Sequence, residues 1–208
     1  MPIKIPENLP AYDVLTHEGV MVMSENQASR QDIRPLRIAL LNLMPRKIQT
    51  EIQFSRLIGA TPLQIELTLI RMSDHQSKTT AAEHMTSFYR PFNEVAESGE
   101  KFDGLIITGA PVALVAYEEI SYWDKITAVM DWATKHVQST LYLCWAAHAA
   151  MYYHYGINRQ IRDDKLFGVF RHQVNNPLDE LVRGFDEYFD APHSRYGSIS
   201  VDNYESID

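Results

Sequence analysis

Ser139-Thr140-Leu141-Tyr142-Leu143-Cys144-Trp145-Ala146-Ala147-His148-Ala149-Ala150 is the stretch that decides the fold. The apolar run Leu141 to Leu143 reads as the end of a buried strand. The small residues that follow read as the first turns of a helix. Cys144, the only cysteine of the chain, falls on the junction. A thiol at that point faces unpaired helix N–H groups, and the positive end of the helix dipole favours its thiolate. It is therefore a nucleophile candidate. The plainer reading, a small buried hydrophobe, fits most lone cysteines equally well.

Upstream, the same alternation of strand and helix recurs. Leu36 to Leu43 is an apolar run of strand length that Pro45 ends. Ile48, Ile52, Phe54, Leu57 and Ile58 follow at roughly helical spacing. Leu63 to Leu69 alternates strictly, as a half-exposed strand does. A polar loop over Ser73 to Thr79 leads to a second helix, for which Thr80 and Glu83 make a capping box. Phe102-Asp103-Gly104-Leu105-Ile106-Ile107-Thr108-Gly109-Ala110-Pro111 reads as a buried strand ending in a tight turn. Ile120, Trp123, Ile126, Val129, Met130 and Ala133 then mark one face of a longer helix. This order predicts an α/β fold, a parallel sheet flanked by helices. Ligands of such sheets bind beyond the carboxyl ends of the strands. The 43–47 turn, the 109–113 turn and Cys144 all fall on that edge. Residues 1–34 read as an N-terminal arm rather than a core layer, with a single domain over 35–208. No repeat, low-complexity segment or linker interrupts it.

Composition narrows the function. With 208 residues, 45% hydrophobic and 22% charged, the chain can bury a substantial core. A lone cysteine forms no internal disulfide, so a reducing cytoplasm is the expected compartment. The start has no apolar signal-peptide core, and Leu141 to Tyr153 is too short to span a bilayer. A net charge of −8 argues against nucleic acid as a partner. It also disfavours an anionic ligand unless a local basic patch offsets it. No metal site or bound cofactor is expected.

Four stretches resemble the signatures of one family. They are Asn42-Leu43-Met44-Pro45, Asp103 to Pro111, Cys144-Trp145-Ala146, and Ala191-Pro192-His193-Ser194-Arg195-Tyr196. In this order they resemble the homoserine O-succinyltransferase family, from Met1 to beyond Tyr196. The resemblance implies a class I glutamine amidotransferase-like (flavodoxin-like) fold and a ping-pong acyl transfer in methionine biosynthesis. Cys144 would take an acyl group from succinyl-CoA or acetyl-CoA and pass it to the hydroxyl of L-homoserine. L-Serine is the alternative acceptor, as in a serine O-acetyltransferase.

The resemblance also assigns residues. Backbone N–H groups of Trp145 and of the Ala110–Ala113 turn would stabilise the oxyanion, though the alanine and proline of that turn serve equally as plain turn formers. Lys165 and Ser194 match substrate-binding positions; a solvated lysine and a turn serine are their plainer readings. Ala113 matches the position that steers acyl choice. A glutamate there goes with acetyl transfer and a small residue with succinyl transfer, so alanine favours succinyl. Arg46 and Lys47 are candidate contacts for CoA phosphates, or simply an exposed helix start.

The family's His-x-Glu pair and a later arginine do not occur in these residues. The chain therefore reads as truncated at the C-terminus and as weak or inactive by itself. His148 points away from an elbow nucleophile by helix direction, whereas His193 lies near Ser194. His154 and His172 read as packing or solvent-facing. An inert binding remnant and a glutaminase-like hydrolase are the competing functions. A homodimer is compatible with the sequence but not specified by it.

Overall fold

A computed structural model describes residues 3–30, 33–73 and 80–200. The expected 73–79 loop and the C-terminal residues from Val201 onward lie, in all but Ser73, outside the described residues. In chain order the elements are β1 (Ile3–Lys4), α1 (Pro10–His17), β2 (Val22–Met23), α2 (Glu25–Ala28), β3 (Leu36–Leu41) and α3 (Lys47–Gly59). Then come β4 (Ile65–Arg71), α4 (Ala82–Phe88), β5 (Tyr89–Pro91), α5 (Phe92–Glu97) and β6 (Phe102–Ile107). The last are α6 (Trp123–His136), β7 (Val137–Tyr142), α7 (Trp145–Tyr155), β8 (Gln160–Gln173) and β9 (Tyr188–Ser198).

Seven strands form one sheet in the order β2-β1-β4-β3-β6-β7, with β5 also paired to β4, and every pairing is parallel. The core order β4-β3-β6-β7 is flavodoxin-like, as the family resemblance implies, and its parallel pairing is what the strand and helix pattern predicts. Strand alternation divides the apolar residues between two cores. Ala39, Leu41, Leu105 and Ile107 pack on the side of α5, α6 and α7. Leu40 and Ile106 pack on the other side with α1 and α4, and with half-buried residues of α3. Both faces of the central strands are covered, which is why β3 reads as a continuous apolar run.

Residues 3–23 are not an arm. Ile3, Ile5, Ala11 and Leu15 are fully buried or nearly so, and β1 pairs with both β2 and β4. Two two-residue strands give too short a period for sequence pattern to reveal, and scattered apolar residues therefore looked like an irregular segment. Pro10 opens α1, where a missing N–H costs nothing.

Three other expectations change. The helix after Pro45 forms, but its buried positions are Lys47, Thr50, Glu51 and Ser55, while Leu57 is 70% exposed. The polar stripe is tolerable because most of it is hydrogen-bonded. Both carboxylate oxygens of Glu51 meet His84 Nε2, at 3.0 and 3.1 Å, and Tyr89 Oη donates to Glu51 at 2.6 Å. The capping box does not form: α4 begins at Ala82 with Ala81 as its cap, without a side-chain bond. Finally, β7 is an edge strand rather than a buried one, and Leu141 is 54% exposed. Among the described residues only β6 flanks it.

β8 and β9 form a separate antiparallel hairpin. Its register shifts between Ile161 and Leu166, so that residues 162–165 bulge against Tyr196. Among the described residues no helix is long and apolar enough to cross a membrane.

If the first residues are core, then Leu15→Ala leaves a cavity under α1. Denaturant unfolding should show a loss of about 2–5 kcal/mol. A loss of about 0.5 kcal/mol or less, the usual surface value, would restore the arm reading.

Candidate active site

The chain turns sharply between β7 and α7, and Cys144 sits on the turn with φ 54° and ψ −116°. Among the described residues it is the only non-glycine with positive φ. Such a backbone costs an L-residue of order 1–3 kcal/mol and persists where packing over-determines it. Here the turn is pinned on both sides. Leu143 donates its N–H to Ile107 O at 3.0 Å, and Ala146 donates to Leu143 O at 3.0 Å. Behind Cys144, buried Trp145, Ala146, Ala149 and Ala150 lock α7 onto the sheet. The result is an exposed thiol on a rigid elbow.

Gly109 permits the elbow. A Cβ built there would stand 3.1 Å from Cys144 Cβ and 3.5 Å from Sγ. The turn after β6 thus runs directly against the nucleophile candidate. Thr108 ties this turn to the one after β3, accepting the Leu43 N–H at 2.8 Å. The three sequence features expected on one edge are indeed neighbours along it, but the 43–47 turn stays outside the cavity described next.

A cavity of about 420 Å³ opens beside Cys144. Ala113, Trp145, Lys165 and Ser194 line it, so the structure brings the sequence candidates other than Arg46 and Lys47 to one place. Lys165 reaches it from the bulge of β8, its Nζ 5.9 Å from the Tyr196 ring. The Trp145 N–H has no acceptor among the described residues, whereas the next three N–H groups bond to Leu143 or Cys144 carbonyls. In the facing turn, Val112 N–H is used within the turn, on Ala110 O at 2.9 Å.

Lys47 is not at the mouth. It is 4% exposed, and its Nζ donates to Asn42 O at 2.6 Å beneath the 43–47 turn. Burial, only partly offset by Glu51, lowers its pKa to about 8. A residue following an exposed turn proline gave no sign of this inward direction. Arg46 is exposed at the start of α3 and does not line the cavity.

Sequence reasoning missed Arg159 and Arg195 as lining residues, and it wrongly pointed His148 away from the site. His148 does reach the cavity, because Gly197 lets its ring approach. A Cβ on Gly197 would come within 2.8 Å of the imidazole and 3.5 Å of Arg159 Cδ. The His148 pKa is lowered by burial and then by the charges of Arg159 and Arg195. His193, in contrast, turns away and meets His172 Nε2 to Nε2 at 2.8 Å. A smaller cavity of about 220 Å³ lies on the other side, lined by Lys4, Glu66 and Arg90. Lys4 pairs there with Glu66 at 3.2 Å and Arg90 with Glu100 at 2.6 Å, while Glu25 also lines it.

A sequence model described as homoserine O-succinyltransferase matches residues 2–207. The chain belongs to the homoserine O-succinyltransferase family. A homoserine O-succinyltransferase of Alteromonas mediterranea is 55% identical over 100% of this chain and 66% of its own length. A homoserine O-acetyltransferase of Ruegeria pomeroyi is 56% identical, over 100% of this chain and 66% of that protein. One from Acetivibrio thermocellus is 52% identical, over 100% of this chain and 67% of that protein. The chain thus spans about two thirds of the length of the curated relatives it matches. Relatives named for either donor are equally similar, so identity alone does not separate succinyl from acetyl.

The depressed His148 pKa has a checkable sign. Protonation is disfavoured in the folded state, so this group stabilises the fold above the ordinary imidazole pKa of about 6.5 and loses that contribution as pH falls through its lowered value. An NMR titration should place His148 below the ordinary range. In Gly197→Ala, which pushes the ring outward, it should move back toward that range. A His148 that titrates normally in the unmodified chain would contradict this geometry.

Proposed function

We propose that the protein is a homoserine O-acyltransferase of methionine biosynthesis that works through an acyl-enzyme on Cys144. The single observation that carries this reading is the strained, exposed cysteine at the strand–helix elbow, beside a cavity lined by cations. In the first half-reaction the Cys144 thiolate attacks the thioester carbonyl of an acyl-CoA. The Sγ–carbon bond forms, the bond to the CoA sulfur breaks, and CoA leaves as a thiolate. One thioester replaces another, so the step is nearly thermoneutral and needs no net proton. The tetrahedral intermediate carries an oxyanion, for which the Trp145 N–H is a suitable donor.

In the second half-reaction the γ-hydroxyl of L-homoserine attacks the acyl carbon. The ester forms, the carbon–Sγ bond breaks, and the hydroxyl proton passes to a base. Lys165 and Ser194 are suited to orient this substrate, through an ammonium and a hydroxyl respectively. A positioned base contributes roughly two to four decades in rate. The 208 residues hold no His-x-Glu pair, so this polypeptide alone is expected to stop at the acyl-enzyme. Arg46, exposed beside the 43–47 turn, remains a candidate contact for CoA phosphates. The reading needs no bound cofactor and no partner beyond small-molecule substrates, and the expected compartment is the cytoplasm.

Succinyl-CoA is the favoured donor. Ala113 is small and uncharged and lines the cavity, so it neither fills the pocket nor repels a free carboxylate.

Intact-mass spectrometry after mixing with succinyl-CoA should show one adduct of the acyl mass. The adduct should be absent in Cys144→Ser; its survival there refutes the assignment. In a mixture of the two thioesters, Ala113→Glu should shift labelling from succinyl toward acetyl. An unchanged ratio would remove Ala113 from donor choice.

A further inference from the structure

The cations of the cavity are unequal in their surroundings. Among the lining residues are Arg159, Lys165 and Arg195, and no aspartate or glutamate. Lys165 is exposed. The two arginines are partly buried and held in place. Arg159 Nη2 donates to Val115 O, in the segment that carries Ala113, at 2.5 Å. Its guanidinium lies over the Tyr117 ring, 4.3 Å from the centroid, and Tyr117 is itself stacked on Tyr152 at 4.6 Å. Arg195 is fixed more loosely, by Nη1 on Gly197 O at 3.5 Å.

Each arginine keeps a nitrogen with nothing to bind. Arg159 Nη1 and Arg195 Nε are both buried and have no hydrogen-bond partner among the described residues. A buried unsatisfied donor on a cation is costly. Arg159 and Arg195 both line one cavity in a chain of net charge −8, with these two nitrogens just beneath its surface. The neighbouring His148 supplies no negative charge to offset them in either protonation state. What satisfies such a pair is an anion with two acceptor oxygens.

We propose that Arg159 and Arg195 form a carboxylate subsite that holds the free carboxylate of a dicarboxylic acyl group while its other end is bonded to Cys144. This rests on the acyl-transfer reading and deepens it by naming what selects the donor. The subsite shares the cavity with Cys144 and Ala113. Donor choice then has two parts: Ala113 leaves room for the longer acyl chain, and the arginines attract its charge. An acetyl group reaches neither arginine and leaves both donors unsatisfied. The other carboxylate that could enter is that of the amino-acid acceptor, which takes no part in the first half-reaction.

The test is the rate of Cys144 acylation by succinyl-CoA and by acetyl-CoA, without acceptor, in the unmodified chain and in Arg159→Gln, Arg195→Gln and Arg159→Lys. The succinyl-to-acetyl rate ratio is expected to fall about 10- to 100-fold in either glutamine variant, the loss typical of a charged hydrogen bond. Arg159→Lys should recover part of it. An unchanged ratio, or an equal loss with both donors, overturns the proposal. So does a defect that shows only when L-homoserine is added. If neither thioester acylates Cys144 in the unmodified chain, the acyl-transfer reading itself has failed. The subsite is then judged with free succinate, followed through the His148 NMR signals. Succinate binding that is lost in Arg159→Gln supports a carboxylate site, and no binding to the unmodified chain rules it out.

Discussion

Cys144 adopts a left-handed backbone on the strand–helix turn, and the arrangement of everything around it follows from holding that turn. Strain of this kind is stable only if the flanking elements are rigid. Here β6 and β7 fix the approach, and a helix rich in alanine packs close behind. Gly109 is the price of the arrangement, since any side chain there would press on the cysteine. The elbow presents the thiol to solvent instead of the core, which sets Cys144 apart from an ordinary buried cysteine.

The electrostatics run against the chain as a whole. An acidic protein keeps a cavity with arginines and a lysine and without carboxylates among its lining residues. The compensating acids are elsewhere. Glu100 meets Arg37 and Arg90, Asp103 meets Arg34, and Glu18 meets Arg56, all on other surfaces. Glu51 is spent inside α3's contact with His84 and Tyr89. Cationic side chains thereby gather beside Cys144 with no carboxylate among the lining residues.

Much of the sheet was legible because its central strands obey simple rules. β3 and β6 are buried on both faces and read as apolar runs; α6 shows its buried stripe at the right spacing. The misreadings have physical causes. β1 and β2 are too short for periodicity. α3 buries a bonded polar stripe, which hydropathy cannot recognise. Leu141 to Leu143 looks like a buried strand end because the sequence does not say that, among the described residues, β7 pairs on one side only. At the site, Cys144 was visible from its junction, and Lys165, Ser194 and Ala113 through the family resemblance. Arg159 and His148 were not, because their roles depend on a glycine about forty to fifty positions away, Gly197, coming to rest against them.

The β8–β9 hairpin packs chiefly on itself among the described residues, yet it supplies Lys165 and the 194–197 segment to the cavity. The cavity is therefore shared between the parallel sheet and the hairpin. A two-stranded ribbon opens far more readily than a buried parallel sheet. When it opens, the cysteine elbow stays folded but loses the lysine, Ser194 and Arg195. Occupancy and hairpin closure are then thermodynamically linked. A ligand at a hundred times its dissociation constant would close the ribbon by about 2.7 kcal/mol. Its signature would be slower amide exchange along β8 and β9, with the exchange of the central strands unchanged.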